Sequence, residues 1–166
     1  MFAPQFMTDV ERLFRLEGFY SDDKNDKGGE TFLGISRAYN PNWDGWDDID
    51  KKDYVSATES AKLFYWSNFY EKYNLHLIND DKLRFAIFEL IVNTGKPKLV
   101  QQAIGVKADG VFGNQTISAL NADPTKSLVL VLGYYTSYYV SLNNRNYLYG
   151  WLKNRIFDVY KGGFGA

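Results

Sequence analysis

A carboxyl group at the end of a helix is the first feature of this chain that could do chemistry. Glu17 closes a segment in which Phe6, Val10, Leu13 and Phe14 recur at helical spacing, and Gly18 suits the position just past a helix end. The last turn of a helix exposes unpaired carbonyls and a partial negative charge, which disfavour another anion. With aromatic neighbours such as Phe19 and Tyr20, that field favours the protonated carboxyl, the form a general acid must hold near neutral pH. The ordinary alternative is an exposed helix-end glutamate of no consequence, and the helix alone does not choose between the two. Other chemistries are narrowed by what the chain lacks. There is no cysteine, so thiolate catalysis, disulfides and cysteine-ligated zinc are excluded. The single histidine, His76, falls short of the two or three imidazoles a zinc peptidase needs, and in YNLHLIND it reads as a group that caps or packs a helix end. If the chain hydrolyses anything, carboxylates must do it.

The elements that would position Glu17 can be read outward from it. Thr8 and Glu11 have capping-box spacing at the front of its helix. Residues 19–36, FYSDDKNDKGGETFLGIS, are dense in Asp, Asn and Gly and predict a long turn or small hairpin folding over a cleft. Residues 40–55 have the composition of an irregular connection fixed to the body by Trp43 and Trp46. Ser56 and Glu59 suggest a second capping box, followed by a helix with Ala57, Ala61, Phe64, Tyr65 and Phe69 on one face as far as about Tyr73. Leu83, Ala86, Ile87, Leu90 and Ile91 mark a central apolar helix over about 80–92, ended by Asn93 and Gly95. Short helices are expected over Pro97–Ile104 and from Gln115 to Leu120, with a turn at Asp109-Gly110 between them and a break at Asp123-Pro124 after them. A long helix through Leu128, Leu132, Tyr135, Tyr139 and Leu142 precedes a last one through Trp151, Ile156 and Tyr160. The expected fold is mainly α, with about seven helices and a small hairpin beside the helix of Glu17.

The 166 residues suit one domain or a pair of subdomains sharing a core, and 45% hydrophobic with 17% aromatic content supplies the apolar area to fill it. Nineteen basic side chains against twenty acidic ones leave a net charge of −1, so no overall field gathers nucleic acid or anionic lipid. No apolar run is long enough to span a bilayer, and MFAPQFMTDVERLF does not read as a secretion signal. The run Asp23, Asn25, Gly28 suggests a calcium loop, but its fifth position is Lys27 and its twelfth is Gly34 where a bidentate glutamate is required, so no metal is expected there. Gly28-Gly29 is better read as a tight turn that brings the backbone close to a ligand or to the helix end.

Eight residues separate Glu17 from Asp26 and four separate Asp26 from Thr31. The run LEGFYSDDKNDKGGETFLGIS resembles the signature of glycoside hydrolase family 108 through Glu17-Gly18-Phe19-Tyr20, Asp26-Lys27-Gly28-Gly29-Glu30-Thr31 and Leu33-Gly34-Ile35. The likeness continues through Glu59-Ser60-Ala61-Lys62 with Tyr65-Trp66, then through Phe88-Glu89 with Val92-Asn93-Thr94-Gly95. Residues Val100 to Val106, with Asp109-Gly110-Val111-Phe112-Gly113 and Thr116, are similar to the peptidoglycan-binding module that follows the catalytic half in that family. Gly150-Trp151-Leu152 and Arg155 resemble its closing motif. Two positions depart from the pattern: Phe19 stands where the family usually has a second glycine, and Glu89 where it usually has aspartate.

The resemblance implies a lysozyme-like catalytic half over 1–92 and a helical peptidoglycan-binding module over 93–166. It implies a muramidase cleaving the β-1,4 link between N-acetylmuramic acid and N-acetylglucosamine, with Glu17 as proton donor. Asp26 and Thr31 match, by spacing, the pair that holds the attacking water in phage-type lysozymes, which points towards inversion. The other reading of Asp26 is that it only pins the glycine turn. Tyr20, Gly29, Trp46 and Asn93 are the residues expected to bind substrate, with Trp43 and Trp46 bordering a groove. The partner is then the peptidoglycan glycan strand, met by a monomer that needs no cofactor, binds no nucleic acid and does not insert in a membrane. Made in the cytoplasm, such an enzyme would reach the wall through a phage holin, a tail apparatus or lysis. The alternatives are a non-catalytic wall-binding or phage tail-associated protein of the same fold, or an activator of protein secretion, a label attached to relatives of this family.

Overall fold

In the computed structural model, which describes residues 2–22, 29–157 and 160, helix α1 runs over Pro4–Glu17, one turn earlier than the Thr8/Glu11 spacing predicts. The reason is Pro4 at the first helical position, where φ is already set and the missing N–H needs no acceptor. The extra turn also buries Phe6, whose ring lies 5.0 Å from Phe2 and 5.2 Å from Trp66. Phe6, Val10 and Leu13 form the buried stripe. Glu17 therefore ends a helix anchored by its opposite end, and the N–H of Gly18 bonds the carbonyl of Phe14 at 3.1 Å.

The expected hairpin is a small antiparallel sheet of three strands in sequence order, β1 (Tyr20–Ser21), β2 (Thr31–Phe32) and β3 (Ile35–Ser36). Tyr20 pairs with Phe32 and Ser21 with Thr31, then Phe32 with Ile35. A two-residue turn, Leu33-Gly34, joins β2 to β3 with positive φ at both positions, 47° and 83°. That is the geometry the twist of a tight hairpin favours, although a leucine enters it against the crowding of its own Cβ. Phe32 is wholly buried, stacked with Trp43 and with Tyr54 at 6.2 Å each and met edge-on by Phe19 at 5.1 Å.

The connection 40–55 is less irregular than its composition suggests, for it contains helix α2 (Gly45–Asp50). Asp47 and Asp48 in the first turn sit favourably in its dipole. Helix α3 (Tyr54–Tyr65) begins two residues before the Ser56/Glu59 box, because Asp53 is the cap. Its carboxylate accepts from the Ser56 N–H at 3.1 Å and the Ser56 hydroxyl at 2.8 Å, bonds that hold it below the usual carboxylate range. A π-helical turn, Trp66–Tyr70, follows.

Residues 1–68 form one compact unit and 69–166 a second. The second is built on α4 (Asp81–Thr94), in which every residue from Leu83 to Ile91 is buried, including Arg84 and Glu89. The Asp80 carboxylate, not singled out in the sequence, caps α4 by accepting from the Leu83 N–H at 2.8 Å, and Asn93 lies within the helix, which Gly95, at φ 62°, closes on the Ile91 carbonyl. Helices α5 (Pro97–Ala103), α6 (Asn114–Ala122), α7 (Pro124–Ser141) and α8 (Arg145–Trp151) follow, with α7 packed on α4, α5, α6 and α8. The last expected helix is divided, since α8 passes into a π-helical turn, Leu152–Phe157. The fold is thus mainly helical, with eight α-helices among the described residues and a small sheet, as expected of a lysozyme-like architecture.

Between α5 and α6 the chain is held by Gln101, a polar side chain only 1% exposed. Its amide N–H groups reach Asp109 and the Val111 carbonyl at 3.0 Å each, and its oxygen accepts from the Gly110 N–H at 2.7 Å. The Gln101 amide first, then the Val111 N–H, bring the Asp109 carboxyl down to about 2. A carboxyl held low in the fold stabilises it above the unfolded value near 4 and loses that contribution as pH falls towards 2. In urea unfolding, Asp109→Asn is therefore expected to lie below the parent at pH 7, with the gap closing between pH 4 and pH 2. A gap unchanged across that interval would discard the charge-based account.

Candidate active site

The bend after α1 places the backbone of Glu17 against the sheet. Gly18 takes the positive φ of 81°, so Phe19 keeps an ordinary backbone in place of the second glycine of the family pattern. The Phe19 carbonyl accepts from the Leu33 N–H at 2.8 Å, and its ring covers Phe32 and Tyr54. Glu17, half-buried, opens into a recess of about 170 Å³ lined also by Gly18 to Ser21, Thr31 and Leu33. Clefts for small ligands commonly reach roughly 300–1,000 Å³, so this recess takes one edge of a ligand rather than the whole of it.

The hairpin tip fixes the Glu17 side chain. A Cβ at Gly34 would lie 2.9 Å from Glu17 Cγ, 3.1 Å from Glu17 Cβ and 2.8 Å from Tyr65 Oη, so only glycine lets the turn come this close. The Tyr65 hydroxyl, buried in the unit, donates to the Leu33 carbonyl at 2.8 Å and ties the strained turn to α3. Neither Gly34 nor Tyr65 is singled out by sequence as a site residue. The signal that could have found the first is a glycine second in a two-residue loop between alternating apolar strands.

On the flank of the recess runs a polar chain. Tyr20 donates to Glu30 at 3.0 Å, Glu30 pairs with Arg37 at 2.8 Å, and Arg37 pairs with Asp50 at 2.7 Å. The hydrogen bond to Glu30, then burial, hold the Tyr20 hydroxyl above its usual range. The Arg37 guanidinium lies 4.6 Å from the centre of the Trp46 ring, a cation–π contact.

Of the residues expected at the site, Glu17, Tyr20 and Thr31 line one recess, and Gly29 adjoins it through its carbonyl, which accepts from the Thr31 hydroxyl at 3.2 Å. Trp46 is elsewhere. It is buried, with its indole N–H bonded to the Asn40 carbonyl at 2.7 Å, and it is linked to Tyr20 indirectly, through Arg37 and Glu30 on one side and through Trp43, Phe32 and Tyr54 on the other. Asn93 is exposed at the end of α4 in the second unit, where its amide donates to the buried Glu89 carboxylate at 2.8 Å. Asp26 lies outside the described residues. A wider recess of the first unit, about 490 Å³ beside Tyr39, Trp43 and Leu63, shares no lining residue with that of Glu17, and among the described residues that line it there is a single carboxylate, Asp44. A pair of carboxyls cannot be assembled there, so its size does not outweigh the chemistry at Glu17.

Residues 10–95 match the family model described as Glycosyl hydrolase 108, and residues 97–156 match the one described as Predicted Peptidoglycan domain. Among solved structures, SagA of Brucella abortus is similar over 95% of this chain and 92% of its own, with a TM-score of 0.73 and 21% sequence identity, a likeness of fold. No curated protein matches significantly in sequence.

Proposed function

We propose a function from one premise: the chain belongs to the glycosyl hydrolase 108 family, whose model spans more than half of it. The family and the peptidoglycan domain together make it a peptidoglycan hydrolase acting at the cell wall. The finer reading is a muramidase that cuts the β-1,4 bond on the reducing side of N-acetylmuramic acid. Glu17 donates the proton to the leaving oxygen. The observation that carries this reading is the half-buried Glu17 at the carbonyl end of α1, held close by the turn at Gly34 and lining a recess that Thr31 also lines.

Protonating the glycosidic oxygen breaks its bond to the sugar and leaves oxocarbenium character on the ring, which water must meet from the far face. In our reading Asp26 takes a proton from that water while the Thr31 hydroxyl orients it. A separation of about 6.5–9.5 Å between the two carboxyls would accompany inversion, and about 5–5.5 Å retention. Residues 1–92 would supply the catalysis and 93–166 the grip on the wall.

Product chemistry tests the cleavage site. Purified peptidoglycan digested by the full chain and then reduced with borohydride is expected to yield fragments ending in N-acetylmuramitol, identified by mass spectrometry. Ends in N-acetylglucosaminitol would assign the other glycosidic bond. Binding to sacculi with no new reducing ends would mean a wall-binding protein without turnover.

A further inference from the structure

Gly150 lies inside α8, where glycine weakens a helix relative to alanine. A helical glycine is usually kept because a neighbour presses on it or because its φ is positive. Neither holds here: the φ of Gly150 is not in the left-handed region, and among the described residues a Cβ there would meet nothing within 4 Å. The space beside it is a recess of about 420 Å³, within the range of ligand clefts. Tyr147, Trp151 and Asn154 share this face of the chain at helical spacing, and Tyr139, Arg155 and, at the end of α4, Asn93 are among the other residues of the wall. The Trp151 ring stacks near-parallel with Tyr139 at 5.5 Å and with Tyr147 at 6.0 Å, while Tyr147 remains 62% exposed. The side-chain amides of Asn146 and Asn154 have no hydrogen bond to any described residue. The one charged residue among the described lining residues, Arg155, pairs at 2.8 Å with the buried Glu89.

These features select among ligands. Aromatic faces suit the C–H side of a pyranose, and an amide, which both donates and accepts, matches hydroxyl and acetamido groups. With Arg155 paired to Glu89, the described residues of the wall carry no net charge to attract the carboxylates of stem peptides. We propose that this recess binds an N-acetylated sugar of the peptidoglycan glycan strand, and that Gly150 is free of a side chain in order to admit it. The proposal rests on peptidoglycan being the substrate, and most of the wall lies within the stretch that matches the peptidoglycan domain. None of its residues lines the Glu17 recess.

The test uses the full chain carrying Glu17→Gln, so that bound sugar is not consumed, with Gly150→Ala, Gly150→Leu, Tyr147→Ala or Gly133→Ala added. Gly133, inside α7 and also free of neighbours within 4 Å, is the control outside the recess. Both alanine replacements of glycine are expected to raise Tm by about 2–4 °C. Chitotetraose should shift the NMR signal of the Trp151 indole N–H, and that shift should vanish in Gly150→Leu and Tyr147→Ala but persist in Gly133→Ala. Retention on sacculi should fall about tenfold or more in the same two variants, whether or not an amidase has removed the stem peptides. A Trp151 signal indifferent to chitotetraose, or Gly150→Leu binding as tightly as its parent, would overturn the proposal. So would retention that disappears with the stem peptides, since the ligand would then be peptide. Because binding is read without turnover, a parent that releases no sugar would sink the hydrolase reading alone.

Discussion

Glu17→Gln is expected to release reducing sugar from purified peptidoglycan about 10²–10⁴ times more slowly than the parent, the contribution a positioned general acid makes to proton transfer. In barrier terms the loss is about 2.7–5.4 kcal/mol. The amide has the shape of the carboxyl and can still hydrogen-bond to the glycosidic oxygen, but it has no proton to give up, so the leaving group departs as an unassisted alkoxide. Stability should not follow activity. At the carbonyl end of α1 the replacement removes an acidic group from the negative tip of a dipole, an exchange worth about 0.3–1 kcal/mol in favour of the variant wherever the carboxyl is ionised. The expected signature is a Tm equal to or above that of the parent, undiminished pelleting with sacculi, and almost no turnover. A variant that digests walls at the parental rate would remove Glu17 from the chemistry, and one that is inactive because it is unfolded would show a lowered Tm instead.

How far the sequence reveals this arrangement depends on how local each determinant is. Helix α4 is legible in place because its apolar run is unbroken and Gly95 follows it, although Asn93, expected to help end it, lies inside the helix. The starts of α1 and α3 are displaced for the opposite reason. Thr8/Glu11 and Ser56/Glu59 have the spacing of a cap, but Pro4 and Asp53 stand further upstream and satisfy or avoid the first N–H groups sooner. Burial of Phe6 rewards the longer α1, which the apolar spacing of Phe6 with Val10 anticipates and the capping spacing does not.

The recess follows the same rule. Glu17, Tyr20 and Thr31 come together because a helix end and a hairpin adjacent in sequence must meet, and that proximity can be read from the chain. The hydrogen bond from Tyr65 to Leu33 joins residues 32 positions apart, and no local pattern announces it. Trp46 shows the reverse error of inference. A tryptophan in a segment rich in Asp and Gly reads as the border of a groove, but its large apolar face is worth more buried, and here Arg37 covers it.

Gly34→Ala is expected to separate placement from stability at the same recess. Two costs arise, and they differ in kind. Alanine at φ 83° is strained by about 1–2 kcal/mol, which lowers Tm by a few degrees. The added methyl would also stand 2.9 Å from Glu17 Cγ and 2.8 Å from Tyr65 Oη, so either the hairpin tip lifts or the Glu17 side chain is pushed aside. A displacement of about 1 Å at a reacting group can cost about 10²-fold in rate, so turnover should fall by about that factor with sacculus binding retained. Tyr65→Phe distinguishes the two contacts. Alone, it leaves the buried Leu33 carbonyl without its donor, a loss of about 1–3 kcal/mol in stability. Combined with Gly34→Ala, it removes the clash with Oη but not the one with Glu17. The double variant should therefore be more stable than the sum of the single effects predicts, and remain as slow as Gly34→Ala. Full activity in Gly34→Ala would show that the tip does not hold Glu17. Recovery of turnover in the double variant would place the constraint on Tyr65 instead of on the catalytic carboxyl.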